Sequence, residues 1–173
     1  IYAGDLDGKV WRFDYDSTAS STGWFKVGLG GNELFSGAST KPISQPPAVY
    51  KHTNAAGGYL VVFGTGQLVT AADATSTSVQ TLYGVWYKSG DTPPVSASSL
   101  QSRPITSFAG TGGATFYKLG GADIDWSSTD RGWYIDLSVV SGLRTIYPPT
   151  VISDKLVLMS SVAPAANVAS CES

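Results

Sequence analysis

Cysteine, histidine and methionine each occur once in the 173 residues. Cys171 sits near the C-terminal end and has no second cysteine with which to close an internal disulfide; an odd cysteine in an oxidising compartment points to a partner beyond the C-terminus. Any Ser-His-Asp or Cys-His site would have to use His52. That residue lies in the polar stretch Lys51-His52-Thr53-Asn54 and reads as an exposed loop histidine, with no nucleophile elbow elsewhere in the chain. One histidine and one cysteine do not fill a zinc site without several carboxylates. Charge is also scarce: 14% of residues, against roughly 25% in average soluble domains. With 11 basic and 13 acidic side chains the net charge is -2, which argues against nucleic acid and anionic membrane surfaces as partners, since both require a basic face. The longest apolar run, Tyr59 to Phe63, is far short of the roughly 18 to 20 residues of a membrane helix, so no span is expected. No charged, apolar, cleavable leader precedes Ile1, so the chain reads as a processed product or a fragment.

What is present is apolar enough for a core, with 42% hydrophobic residues and 20 glycines, and Ser and Thr supply the polarity that charge does not. No window sustains an i, i+3, i+4 apolar pattern without a Gly, Pro or Ser/Thr break, so the expected class is all-β. Strands are expected at Ile1–Gly4, Lys9–Tyr15, Trp24–Val27, Ala48–Lys51, Tyr59–Gly64, Thr81–Tyr87, Gly132–Leu137, Tyr147–Ile152 and Lys155–Ser160. Asp7-Gly8 and Ser153-Asp154 read as two-residue turns, giving hairpins Ile1–Tyr15 and Tyr147–Ser160. The longest connection, 89–113, carries Pro93, Pro94 and Pro104 and reads as a surface insertion loop.

A weak repeat runs through Ile1…Asp14, Leu60…Tyr87 and Trp133…Met159, each expected to pair strands across a turn or loop. Paired strands with an aromatic near one end suggest propeller blades, and two or three blades leave an open edge at each end. The expected architecture is therefore a partial β-propeller, about two to three blades of a larger one, occupying residues 1–173 as a single domain piece.

The run Tyr2-Ala-Gly-Asp-Leu-Asp-Gly-Lys-Val-Trp-Arg-Phe-Asp14 resembles a quinoprotein-like blade. It is followed in order by Lys41-Pro-Ile-Ser-Gln-Pro-Pro-Ala-Val49, Val62-Phe-Gly-Thr-Gly-Gln-Leu68, Gln80-Thr-Leu-Tyr-Gly-Val-Trp86, Gly132-Trp-Tyr-Ile-Asp-Leu137 and Val162-Ala-Pro…Cys171. This series resembles the C-terminal β-propeller of the type IV pilus tip proteins, the PilY/PilC family of pilus assembly factors and adhesins. The resemblance implies an exported, non-enzymatic domain of the periplasm and cell surface. It also implies contacts with minor pilins at the pilus tip and with a host or surface ligand, and an influence on pilus assembly, retraction and twitching motility.

Members of that family carry a calcium loop with alternating acids, and Asp5, Asp7 and Asp16 stand at loop positions 1, 3 and 12. Lys9 and Val10 occupy positions that need an oxygen ligand and a glycine, so Asp5 is expected to bond the turn backbone instead, with any calcium held by other blades. Asp123, Asp125 and Asp130 read as turn carboxylates, and Gly64-Thr65-Gly66 as a strand end rather than a phosphate cradle. No catalytic or cofactor-binding residue is assigned. A quinone-cofactor dehydrogenase lacks its constellation here, because fold similarity does not carry function. Of Trp11, Trp24, Trp86, Trp126 and Trp133, four are expected between blades. Trp126, in a loop, is kept as a ligand contact, and two rival readings remain, a carbohydrate-binding module and a quinoprotein-type dehydrogenase. The segments 89–113 and 120–131 are the docking candidates.

Overall fold

Alternation along Lys9–Tyr15 sends Val10 to one side and Trp11, Phe13 and Tyr15 to the other, and this segment becomes the centre of the first sheet. The computed structural model describes residues 1–19, 23–53, 57–88, 90–127, 129–153 and 156–164. Strands β1 (Tyr2–Gly4) and β2 (Lys9–Tyr15) form an antiparallel hairpin, and β3 (Phe25–Val27) and β4 (Phe35–Ser36) pair with β2. Gly8 closes the first turn at φ +79°, a left-handed conformation that glycine adopts without strain.

Strands β5 (Ala48–Lys51), β6 (Tyr59–Gly64) and β7 (Thr81–Tyr87) follow as an antiparallel meander, with a short helix α1 (Ala71–Thr75) between the last two. Next come β8 (Gln101–Ser102), β9 (Ile105–Ala109), β10 (Thr115–Leu119) and β11 (Gly132–Asp136). β11 lies antiparallel to β7 and parallel to β8, so the second sheet has the order β5-β6-β7-β11-β8. Among the described residues β9 and β10 pair only with each other, and so do β12 (Thr150–Ser153) and β13 (Leu156–Leu158).

The two large sheets pack face to face. Val10, Leu34 and Phe35 meet Val61, Phe63, Tyr83 and Val85, and the ring of Phe35 sits 5.6 Å from Phe63 and 5.0 Å from Tyr83. Full burial of such side chains contributes about 1.5 to 3 kcal/mol each. Arg144, 2% exposed, ties the region beside α1 together: its guanidinium donates to the carbonyls of Gly142, Gln67, Asp73 and Ser76. A buried cation is tolerated there because carbonyl oxygens replace its hydration.

The all-β class holds, and four expected strands match at both ends: Lys9–Tyr15, Ala48–Lys51, Tyr59–Gly64 and Thr81–Tyr87. Two expectations change. Segment 89–113, read as an insertion loop, holds β8 and β9 and sends Val95 and Leu100 into the core. Its polar, proline-rich composition concealed short strands that depend on distant partners. The third repeat copy also fails, because β11 joins β7 and β8 rather than pairing with Leu156–Leu158. The expected turn at Ser153-Asp154 and Cys171 lie outside the described residues, except that Ser153 closes β12.

Gly84 of β7 is where the indole of Trp133 lies directly on the backbone, and a Cβ there would overlap the ring. Replacing Gly84 with Val is therefore expected to displace Trp133 and lower stability by about 1 to 3 kcal/mol, read as an earlier denaturant midpoint.

Candidate functional site

Because strand side chains alternate, the face of the second sheet opposite the core presents Leu60, Leu82, Trp133 and Ile135. They floor a groove of about 1070 Å³. Ile105 and Leu119, at the base of the β9–β10 hairpin, form one wall, and Val157 and Met159 another. Polar groups sit among its lining residues, and several are occupied: Arg103 donates to the carbonyl of Ala122 at 2.6 Å, which pins the loop containing Asp123 and Trp126.

Trp126 stands edge-on to the buried indole of Trp86, with ring centroids 5.6 Å apart, and His52 lies 4.4 Å from Trp126 and 5.2 Å from Trp86. Lys88 and Arg131 lie over the Trp86 ring at 4.9 and 5.6 Å, a cation–π arrangement. His52, expected as an exposed loop residue, is thus partly buried in an aromatic cluster, and desolvation pushes its pKa below the usual value. Trp126, kept from the sequence as a ligand contact, lines the groove while anchoring its loop to the sheet.

The acidic candidates do not gather. Asp5 accepts from the backbone N–H of Asp7 and Lys9 and from the indole N–H of Trp11 at 2.7 Å. Asp16 accepts from Thr18 and Lys26, and the Lys26 hydrogen bond, followed by those of Thr18, holds its carboxyl well below the usual range. Asp130 bridges Gln101 and the N–H of Asp125, while Asp125 accepts from Ser127. Among the described residues no three His, Cys, Asp or Glu side chains come together as a metal site. One Lys-Thr-Asp array exists, in which Lys41 donates to Thr81 at 2.6 Å and Thr81 to Asp136 at 2.6 Å. The Thr81 residue is wholly inaccessible and joins β7 to β11 as a structural link.

Sequence reading missed a second surface. In the β9–β10 hairpin Phe108 pairs with Phe116 across the strands, the rings stack at 5.6 Å, and both are about half exposed. Ile105–Ala109 and Thr115–Leu119, separated by Gly110-Thr-Gly-Gly-Ala114, carry a strand-turn-strand signal that would have revealed it.

Mostly antiparallel sheets stacked face to face, with apolar side chains on their outer faces as well, define a partial β-propeller. The PilY1 beta-propeller domain family matches residues 1–103, and the chain belongs to that family. It is 28% identical over 202 aligned residues to the type IV pilus biogenesis factor PilY1 of Pseudomonas aeruginosa, covering 94% of this chain but 17% of that protein. A PilY1 homolog of Xylella fastidiosa is 27% identical, over 97% of this chain and 12% of its own length. The crystal structure of the Pseudomonas aeruginosa PilY1 C-terminal domain superposes with a TM-score of 0.78 at 28% identity, over 94% of this chain and 40% of that one. The partial propeller and the family expected from the sequence are both confirmed.

Two outcomes follow for the site residues. Asp5→Ala, by freeing two backbone N–H groups and the Trp11 indole, is expected to lower stability by about 1 to 3 kcal/mol, equally with calcium and with chelator in thermal melts. The lowered His52 pKa means that the unfolded chain takes up a proton more readily. Stability is thus full above about pH 6.5 and declines as pH falls through that value, a decline that His52→Gln should flatten in denaturant titrations.

Proposed function

We propose that this chain is part of the propeller scaffold of a type IV pilus biogenesis protein, exported to the periplasm and cell surface and acting through protein contacts rather than catalysis. The observation that carries the reading is the match over 94% of the chain to a protein named as a type IV pilus biogenesis factor. Among the described residues no helix is long and apolar enough to cross a membrane, which is compatible with export.

Within this reading the β9–β10 hairpin, rather than the whole of 89–113, is the contact element for minor pilins or a surface ligand. It pairs with neither large sheet, exposes the Phe108–Phe116 pair and carries Lys118 as its one charge. Exposed aromatic pairs on rigid elements are the usual energetic centres of interfaces. Loop 120–131 continues from the hairpin base, where Gly120 donates to the carbonyl of Pro104 and Arg103 to that of Ala122, with Trp126 as its anchor. No cofactor is assigned to this segment, and calcium is left to other sheets of the protein.

The test replaces 105–119 with a short Gly-Ser turn in the full-length protein and, as a milder arm, changes Phe108 and Phe116 to Ser. Binding to minor pilins and surface adhesion should both be measured, with circular dichroism as the check on folding. A loss of about tenfold or more in either binding, with the fold retained, is expected. Unchanged pilin binding and adhesion would remove the hairpin from the role.

A further inference from the structure

We infer that the outer edge of β10 is a strand-addition site, which takes an extended, carboxylate-bearing segment of a partner protein as the third strand of the β9–β10 sheet. The inference rests on the contact role proposed for this hairpin and specifies how the contact is made.

The hydrogen bonds at the two ends of the hairpin fix which backbone groups face outward. Gly110 donates to the carbonyl of Ala114, and Gly120 to that of Pro104, both at 2.8 Å. Antiparallel strands alternate between pairs that exchange hydrogen bonds and pairs that do not. Thr106–Lys118 and Phe108–Phe116 therefore turn their N–H and C=O groups toward each other. The groups of Thr115, Tyr117 and Leu119 point away from β9, and among the described residues no strand pairs with them. An unpaired edge is a template for another strand, and two strands alone are marginally stable in water, so a third strand supplies what the hairpin lacks. β9 offers Ile105, Ser107 and Ala109 along its own outer edge, whereas Thr115, Tyr117 and Leu119 give β10 larger side chains for an incoming strand to pack against.

Charge selects the occupant. Residues 105–119 contain no Asp or Glu, and Lys118 forms no ion pair among the described residues. A second copy of the hairpin would bring another lysine and no carboxylate. A partner strand with Asp or Glu beside Lys118 gains a cross-strand pair, while the same lysine discourages unselective edge pairing. In strand addition the main-chain hydrogen bonds supply affinity and the alternate side chains supply specificity.

Two changes at one position in the full-length protein test the mode of contact. Tyr117→Pro removes an outward N–H that β9 does not use, and proline is tolerated at such edge positions; Tyr117→Thr keeps the N–H and removes the ring. Tyr117→Pro is expected to weaken binding to purified minor pilins about tenfold or more, with circular dichroism unchanged, and Tyr117→Thr markedly less. Equal losses would assign the contact to the ring and overturn strand addition. Wild-type binding by Tyr117→Pro, where Phe108→Ser with Phe116→Ser abolishes binding, would overturn strand addition and leave the contact role standing. Wild-type binding by all of them would remove that role as well. Amide-resolved hydrogen exchange on the unaltered full-length protein avoids any folding defect. Thr115, Tyr117 and Leu119 should exchange rapidly alone and become protected with the pilin, while Ser107 and Ala109 stay unchanged. Protection already present without the pilin, or none on binding, would overturn the inference.

Discussion

The ring of Phe35 set against Phe63 and Tyr83 is the contact on which the other features depend. It locks the first sheet onto the second at one angle and one register, because aromatic rings packed at interior density leave no room for sliding. Once that face is fixed, alternation dictates the rest. Leu60, Leu82, Trp133 and Ile135 must point away from it, and the β9–β10 hairpin, which neither large sheet includes, must project. The groove and the aromatic hairpin are thus both consequences of one packed interface.

A sheet with apolar side chains on both faces needs cover on both, and this requirement separates a propeller slice from a closed sandwich. The first sheet repeats the pattern. Its outer face carries Trp11, Phe13 and Tyr15, with the ring of Phe25 tilted against that of Tyr15 at 5.4 Å. Stacked sheets of this kind make a rigid support from which loops and hairpins can be varied without disturbing the core, and binding elements are commonly carried in this way. The distinctive surfaces of this body are aromatic and aliphatic.

Three polar groups in or beside the interior are satisfied locally instead of being arranged for chemistry. Asp5 is enclosed by the turn it caps and by the Trp11 indole, Thr81 is held between Lys41 and Asp136, and Arg144 is surrounded by carbonyl oxygens. Each arrangement offsets the desolvation of a polar group by hydrogen bonds and leaves little capacity for an exchanging ligand. His52 is different, since its partners are aromatic and its environment disfavours the proton.

Local pattern was sufficient where a strand carries its own signal. Lys9–Tyr15, Tyr59–Gly64 and Thr81–Tyr87 are dense in aromatic and β-branched residues, and Asp7-Gly8 supplies a turn that only a positive φ completes. Those features and the ordered motifs determined the all-β class, the blade-like pairing and the family. Two-residue strands such as Phe35–Ser36 and Gln101–Ser102 carry no periodicity, and they exist because β2 and β11 offer backbone partners far away in the chain. His52 likewise looked like an ordinary loop residue, and Trp126 like a loop ligand contact, until folding placed both against Trp86. The sequence by itself determined the longer strands, such as Lys9–Tyr15, Tyr59–Gly64 and Thr81–Tyr87, and which of their sides are apolar, because alternation is a local property. Only the tertiary structure decided which apolar side is covered and which is left as a groove, because that depends on which distant strands share a sheet.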